Sequence, residues 1–126
     1  MKKYITILLL VSSVVAFGQS KKDILAKKWK LNKTEEFGQQ YEPMETQKND
    51  WLEFKADGKF SGVIESKQVE GTWSMSGSTA ILKIDKAATL VKINWTKVKK
   101  IESSTLAIEY QNGDLITSTM IFIPAE

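Results

Sequence analysis

The chemistry open to this chain is limited first by what it lacks. Its 126 residues contain no histidine and no cysteine. Without imidazole or thiolate there is no Ser-His-Asp or Cys-His arrangement. The usual zinc, copper and non-haem iron ligands are missing too. No phosphate-binding glycine loop and no Gly-x-Ser-x-Gly elbow occurs. Carboxylate, lysine, tyrosine and serine chemistry remain. The acidic pairs are Glu35 with Glu36, Asp50 with Glu53, and Glu65 with Glu70. A glycosidase needs two carboxylates facing each other across a cleft. Adjacent strand residues such as Glu35 and Glu36 point to opposite faces. Glu65 and Glu70 flank a turn, where charge is ordinary. These pairs are expected to be solvated strand ends. The segment from Glu42 to Asp50 is acidic but lacks EF-hand-like spacing. No catalytic set, metal site or cofactor is expected.

Aromatic residues are the stronger lead. Phe54, Phe60, Trp73, Trp95 and Tyr110 are placed to line an apolar cup, with Met120 on the last strand. Ligand sites are concave and mostly apolar, with a few placed polar groups. Tyr110 or Ser118 would supply such a group, and Lys97 could pair with a carboxylate headgroup. The competing expectation is that the same rings fill a dry core. Tyr41, Pro43 and Met44 lie in a long segment, Gly38 to Asn49, that reads as a lid, a partner-binding loop or a solvated connection. Lys92, Lys97, Lys99 and Lys100 make one region basic. Strand lysines guard edges against pairing, and that reading is preferred to an acidic partner or a lipid surface. Every basic residue is lysine. Arginine dominates phosphate and base-edge recognition, so nucleic acid is not an expected partner.

These side chains need a scaffold. Met1-Lys2-Lys3 opens the chain, Tyr4 to Val15 is almost unbroken apolar sequence, and Ala16-Phe17-Gly18 ends on small residues. That is the grammar of a secretory signal peptide. Cleavage after Gly18 would leave Gln19 to Glu126, periplasmic or extracellular, with no stable membrane anchor. Net charge is +3, and Lys2 and Lys3 supply two of those charges. With no disulfide available, the mature domain must be held by its core.

Ser20 to Lys28 reads as a short helix, with Ser20 as N-cap and Asp23 three residues on. Helical periodicity then gives way to short alternating runs. Turn signals fall near positions 57, 67, 77, 87, 103 and 113. Strands at regular 8–12-residue spacing mark an all-β meander, sandwich or barrel. The runs are Trp29–Phe37, Trp51–Lys55, Lys59–Glu65, Val69–Met75, Thr79–Ile84, Leu90–Ile101, Thr105–Gln111 and Leu115–Ile123. Tight turns favour pairing of consecutive strands. The expectation is an all-β, eight-stranded antiparallel up-and-down barrel. Asp57-Gly58 and Asn112-Gly113 are the sharpest hairpin signals. Val91, Ile93 and Trp95 share one face. In the last strand Ile116, Met120 and Phe122 compete with Leu115, Ile121 and Ile123 for the interior.

Three motifs carry a family resemblance. A short helix leads into Lys27-Lys28-Trp29-Lys30-Leu31, which resembles the Gly-x-Trp opening of lipocalins. The run from Trp51 through Asp57-Gly58 to Phe60 is similar to an F-x-x-D-G-x-F hairpin. Gly71-Thr72-Trp73 matches a G-T-W step. From Asp23 to Ile123 the chain thus resembles the lipocalin-like domains of small exported bacterial proteins. Lys27 stands where the family has glycine, and the family's late arginine is absent. The resemblance implies an exported, non-enzymatic protein holding a small hydrophobic or amphipathic ligand in its barrel. The alternative is a protein-binding module, an inhibitor or envelope-assembly factor, with a filled barrel that works through the 38–49 loop and the rim.

Overall fold

The computed structural model describes residues 20–125. The expected signal peptide, residues 1–18, lies outside them. Helix α1 spans Lys21–Leu25. The Ser20 hydroxyl accepts from the Asp23 amide at 3.3 Å, one of the orphan donors of a helix start. The helix ends at Leu25, three residues sooner than expected, because Lys28 already belongs to a strand.

Nine strands follow: β1 (Lys28–Glu36), β2 (Gln39–Tyr41), β3 (Trp51–Phe54), β4 (Lys59–Ile64), β5 (Lys67–Ser76), β6 (Thr79–Ile84), β7 (Ile93–Glu102), β8 (Thr105–Asn112) and β9 (Thr117–Pro124). Eight form one antiparallel path in the order β6-β5-β4-β3-β1-β9-β8-β7, with β2 a side hairpin on β1. All neighbours are consecutive along the barrel except β1 and β9, which join the two ends of the chain. The result is an eight-stranded up-and-down barrel, nearly closed. Strands β6 and β7 form no ladder, and the Thr79 hydroxyl bridges their seam to the Val98 carbonyl at 3.0 Å.

One end is plugged. Helix α1 lies there with the turns at 55–58, 77–78 and 103–104. The Lys21 ammonium donates to the Ile101 carbonyl at 2.6 Å and Lys27 to Ser103 at 3.2 Å. Leu25 and Trp29 are fully buried, and the indole donates to the Leu25 carbonyl at 3.1 Å. Lys27 lies 4.7 Å from the Trp29 ring centroid. A lysine therefore supplies the cation–π partner of this tryptophan.

Phe54, Phe60 and Trp73 fill the plugged half. Phe54 stacks on Phe60 at 5.6 Å between centroids and meets Trp73 edge-on at 5.8 Å. Phe60 sits opposite Gly71 in the ladder. A β-carbon on Gly71 would run into the Lys83 carbonyl and the Phe60 ring. The glycine before Thr72-Trp73 is thus a packing requirement.

Two expectations about faces are settled. Met120 and Phe122 are buried, so that set faces inward, while Leu115 and Ile116 belong to the exposed turn before β9. Trp95, however, is not an inner residue: it is 40% exposed. Strand β7 carries irregularities between Ile93 and Trp95 and between Val98 and Lys100. Each extra residue flips the alternation. Ile93, Val98 and Ile101 are buried, and Trp95, Lys97 and Lys100 face out.

Candidate functional site

The other end of the barrel is open. Around it stand the segment from β1 to β3, the Glu65-Ser66 turn, the 85–92 connection and the turn before β9. A cavity of about 540 Å³ lies between the β1–β3 segment, Glu65 and the turn before β9, and the 85–92 connection borders a separate hollow.

Its organising residue is Asp50, which is 3% exposed. The carboxylate accepts from the Glu65 amide at 2.7 Å and the Ser66 amide at 3.2 Å. Glu65 and Ser66 both have positive φ, 53° and 65°. Such two-residue turns suit Asn-Gly, and ordinary side chains resist them. Asp50 supplies the acceptors that hold this turn. Burial pushes its pKa up to about 6, against the lowering effect of the two amides.

The same turn anchors half of the long loop. The Ser66 hydroxyl donates to the Thr46 carbonyl. Gln47 is buried, its amide donating to Met44 at 2.8 Å and its carbonyl accepting from Asp50 at 3.0 Å. The expected single loop is therefore two structures. Residues 44–50 are tied down, whereas β2 stands out on a Phe37-Gly38 turn with every residue exposed.

With its backbone fixed, Glu65 accepts a hydrogen bond from the Tyr110 hydroxyl at 2.8 Å. Tyr110 is 3% exposed. Burial, then the bond to Glu65, holds its phenol far above the usual tyrosine range. It therefore remains a donor. Glu36, Met44 and Ser118 complete the wall of the cup, with Tyr41 and Ile116 at its rim.

Of the residues expected to bind, Tyr110, Ser118, Tyr41 and Met44 meet at this cavity. Met120 lies one inward step deeper than Ser118 on β9 and is buried. Phe54, Phe60 and Trp73 do not line it, because they pack against one another in the plugged half. Trp95 is outside the barrel wall. Lys97 is also outside, opposite Glu109 in the ladder, so it cannot meet a headgroup in the cup. The carboxylates expected to be solvated strand ends are recast: Asp50 is buried, and Glu36 and Glu65 line the cavity. The sequence signal for Asp50 was an acidic residue directly before an apolar strand, with a glycine-free turn to hold.

The open end has a second property. Phe37 is fully exposed, Leu115 is 72% exposed, and Leu90, Met44 and Ile116 are exposed as well. Phe37 and Leu115 have positive φ, 52° and 66°. In the Asn112-Gly113 turn the left-handed position is thus Leu115, while Asn112 Oδ1 accepts from Asp114 at 2.9 Å and Ile116 at 3.1 Å. Bulky side chains in this conformation cost roughly 1–3 kcal/mol each, and these two bury little in return.

No family model and no curated protein matches this chain. Among solved structures it is similar to a protein from Burkholderia xenovorans determined by NMR, at 12% identity, with a TM-score of 0.46 over 82% of this chain and 86% of that one. The functional reading rests on the geometry of the open end.

Proposed function

We propose that this is an exported, non-enzymatic binding protein, and that its open end docks an apolar segment of another envelope protein. The observation that carries this reading is the distribution of exposed apolar side chains. Phe37, Met44, Leu90, Leu115 and Ile116 come from four separate stretches of chain and all stand at one end. The turns of the plugged end expose none among the described residues. Contiguous exposed apolar surface marks interaction sites. Strain kept at an exposed tip points the same way. The cup between the tips would receive one or two large side chains, with the Tyr110–Glu65 pair at its wall.

The test is capture of partners from the envelope fraction with the wild-type protein and with a Phe37→Ser, Leu115→Ser variant. A partner held by the first and lost by the second supports the reading. A partner held equally by both overturns it.

The cavity itself favours a second reading. Its volume lies within the range of roughly 300–1,000 Å³ typical of small-molecule sites, and its wall mixes Met44 and Ile116 with Tyr110 and Ser118. A small amphipathic molecule would fit, as the lipocalin-like resemblance implies. Native mass spectrometry of gently purified protein decides it: a co-purifying small molecule selects this reading, a bare mass the first.

A further inference from the structure

We infer that the segment docked at the open end is basic, an apolar stretch flanked by lysine or arginine whose charge sits against Glu36 and Glu65. This rests on the protein-docking reading above. The chain carries 18 lysines, yet none lines the cup. Its charged wall residues are Glu36, Glu42 and Glu65. Lys33 pairs with Glu42, but Glu36 and Glu65 take part in no ion pair among the described residues. Glu65 is partly buried, and the hydroxyl of Tyr110 fixes one of its oxygens at 2.8 Å. Its other oxygen accepts no hydrogen bond among the described residues. Burial, the bond to Glu65, and repulsion from the charges of Glu65, Asp50 and Glu36 keep the Tyr110 phenol protonated.

Two lysines of the open end are engaged away from these carboxylates. Lys48 pairs with Glu45 at 3.3 Å. Lys92 lies with its stem close to Gly113 and lines the neighbouring hollow beside Ile84 and Ile93. A metal ion is a poor occupant, since no group of three acidic side chains gathers to ligate one among the described residues. Partly desolvated carboxylates set apart in an apolar ring suit a cation carried on an apolar chain. The charge excludes acidic partners, and like-charge juxtaposition costs several kcal/mol. Charge complementarity therefore selects a basic segment.

The experiment uses two fluorescein-labelled peptides, one alternating lysine with phenylalanine and one alternating glutamate with phenylalanine, titrated by anisotropy. The lysine peptide is expected to bind at least about tenfold more tightly, with the gap closing at high salt. Glu36→Gln with Glu65→Gln should erase that preference. Glu36→Lys with Glu65→Lys should invert it, which loss of fold cannot do. Glu109→Gln, on the outer wall, should change nothing. Equal affinity for the two peptides overturns the inference, as does a preference that survives both double variants. If Phe37→Ser with Leu115→Ser then weakens both peptides alike, the docking reading stands without its charge. If that variant leaves both unchanged, the docking reading fails as well.

Discussion

The two ends of this barrel treat apolar surface in opposite ways. At the plugged end Trp29, Phe54, Phe60 and Trp73 are buried, and the turns are Asp-Gly, Gly-Ser and Ser-Ser. At the open end Phe37, Leu90 and Leu115 are presented to solvent, and a buried aspartate and a buried glutamine organise the loops. The first arrangement stabilises a domain that has no disulfide. The second costs stability twice, through strained backbone and through a desolvated carboxylate. A fold places such costs where something other than folding is selected.

That contrast predicts a gradient of mutational effects. Phe54→Ala at the plugged end should destabilise the protein by about 3–5 kcal/mol in urea unfolding, the usual cost of emptying an aromatic core position. A loss under 1 kcal/mol would mean the plugged end is not the core. Gly71→Ala should cost about 1–3 kcal/mol, since its new methyl group must displace the Phe60 ring or the Lys83 backbone. Asp50→Ala should cost about 1–3 kcal/mol by orphaning two amides of a left-handed turn.

The pH dependence of Asp50 sharpens the comparison. Its pKa rises from 3.8 to about 6 on folding. The folded chain thus holds a proton that the unfolded chain has released, and stability from this group falls as pH rises between those values. Melting temperatures of wild type and Asp50→Asn across that window should show a downward slope in the wild type that the variant lacks. Identical slopes would remove Asp50 from this role. The smallest effect belongs to the open rim. Leu115→Gly should leave stability unchanged or raise it by up to about 1 kcal/mol, because glycine accepts positive φ freely. A clear loss would show that Leu115 packs in solution.

The strands were legible because their turns are local chemistry. Asp57-Gly58 and the spacing near ten residues fix five hairpins and hence the up-and-down order. The face of Trp95 was not legible. Alternation along β7 is interrupted at Asn94 and Lys99 by two extra residues, and neither carries a glycine to announce it. Asp50, Glu36 and Glu65 were hidden for a different reason. The burial of Asp50 and the arrival of Glu36 and Glu65 at one cavity are created by closing the barrel, which brings residue 65 to residue 110. Phe37 read as the end of a strand, and only the left-handed turn turns it outward. Composition set the chemical exclusions and the aromatic supply, but it left Phe54, Phe60 and Trp73 between a cup and a dry core, and tertiary packing gave them to the core of the plugged half.

The central claim is that recognition occurs at the open end and that the plugged end is structural. Photo-crosslinking residues placed singly at positions 37 and 115, and at 57 and 77 on the opposite end, test it in intact cells. Adducts of one common mass from 37 and 115, and none from 57 and 77, are the predicted result. Equal adducts from both ends, or adducts from the plugged end alone, would contradict it.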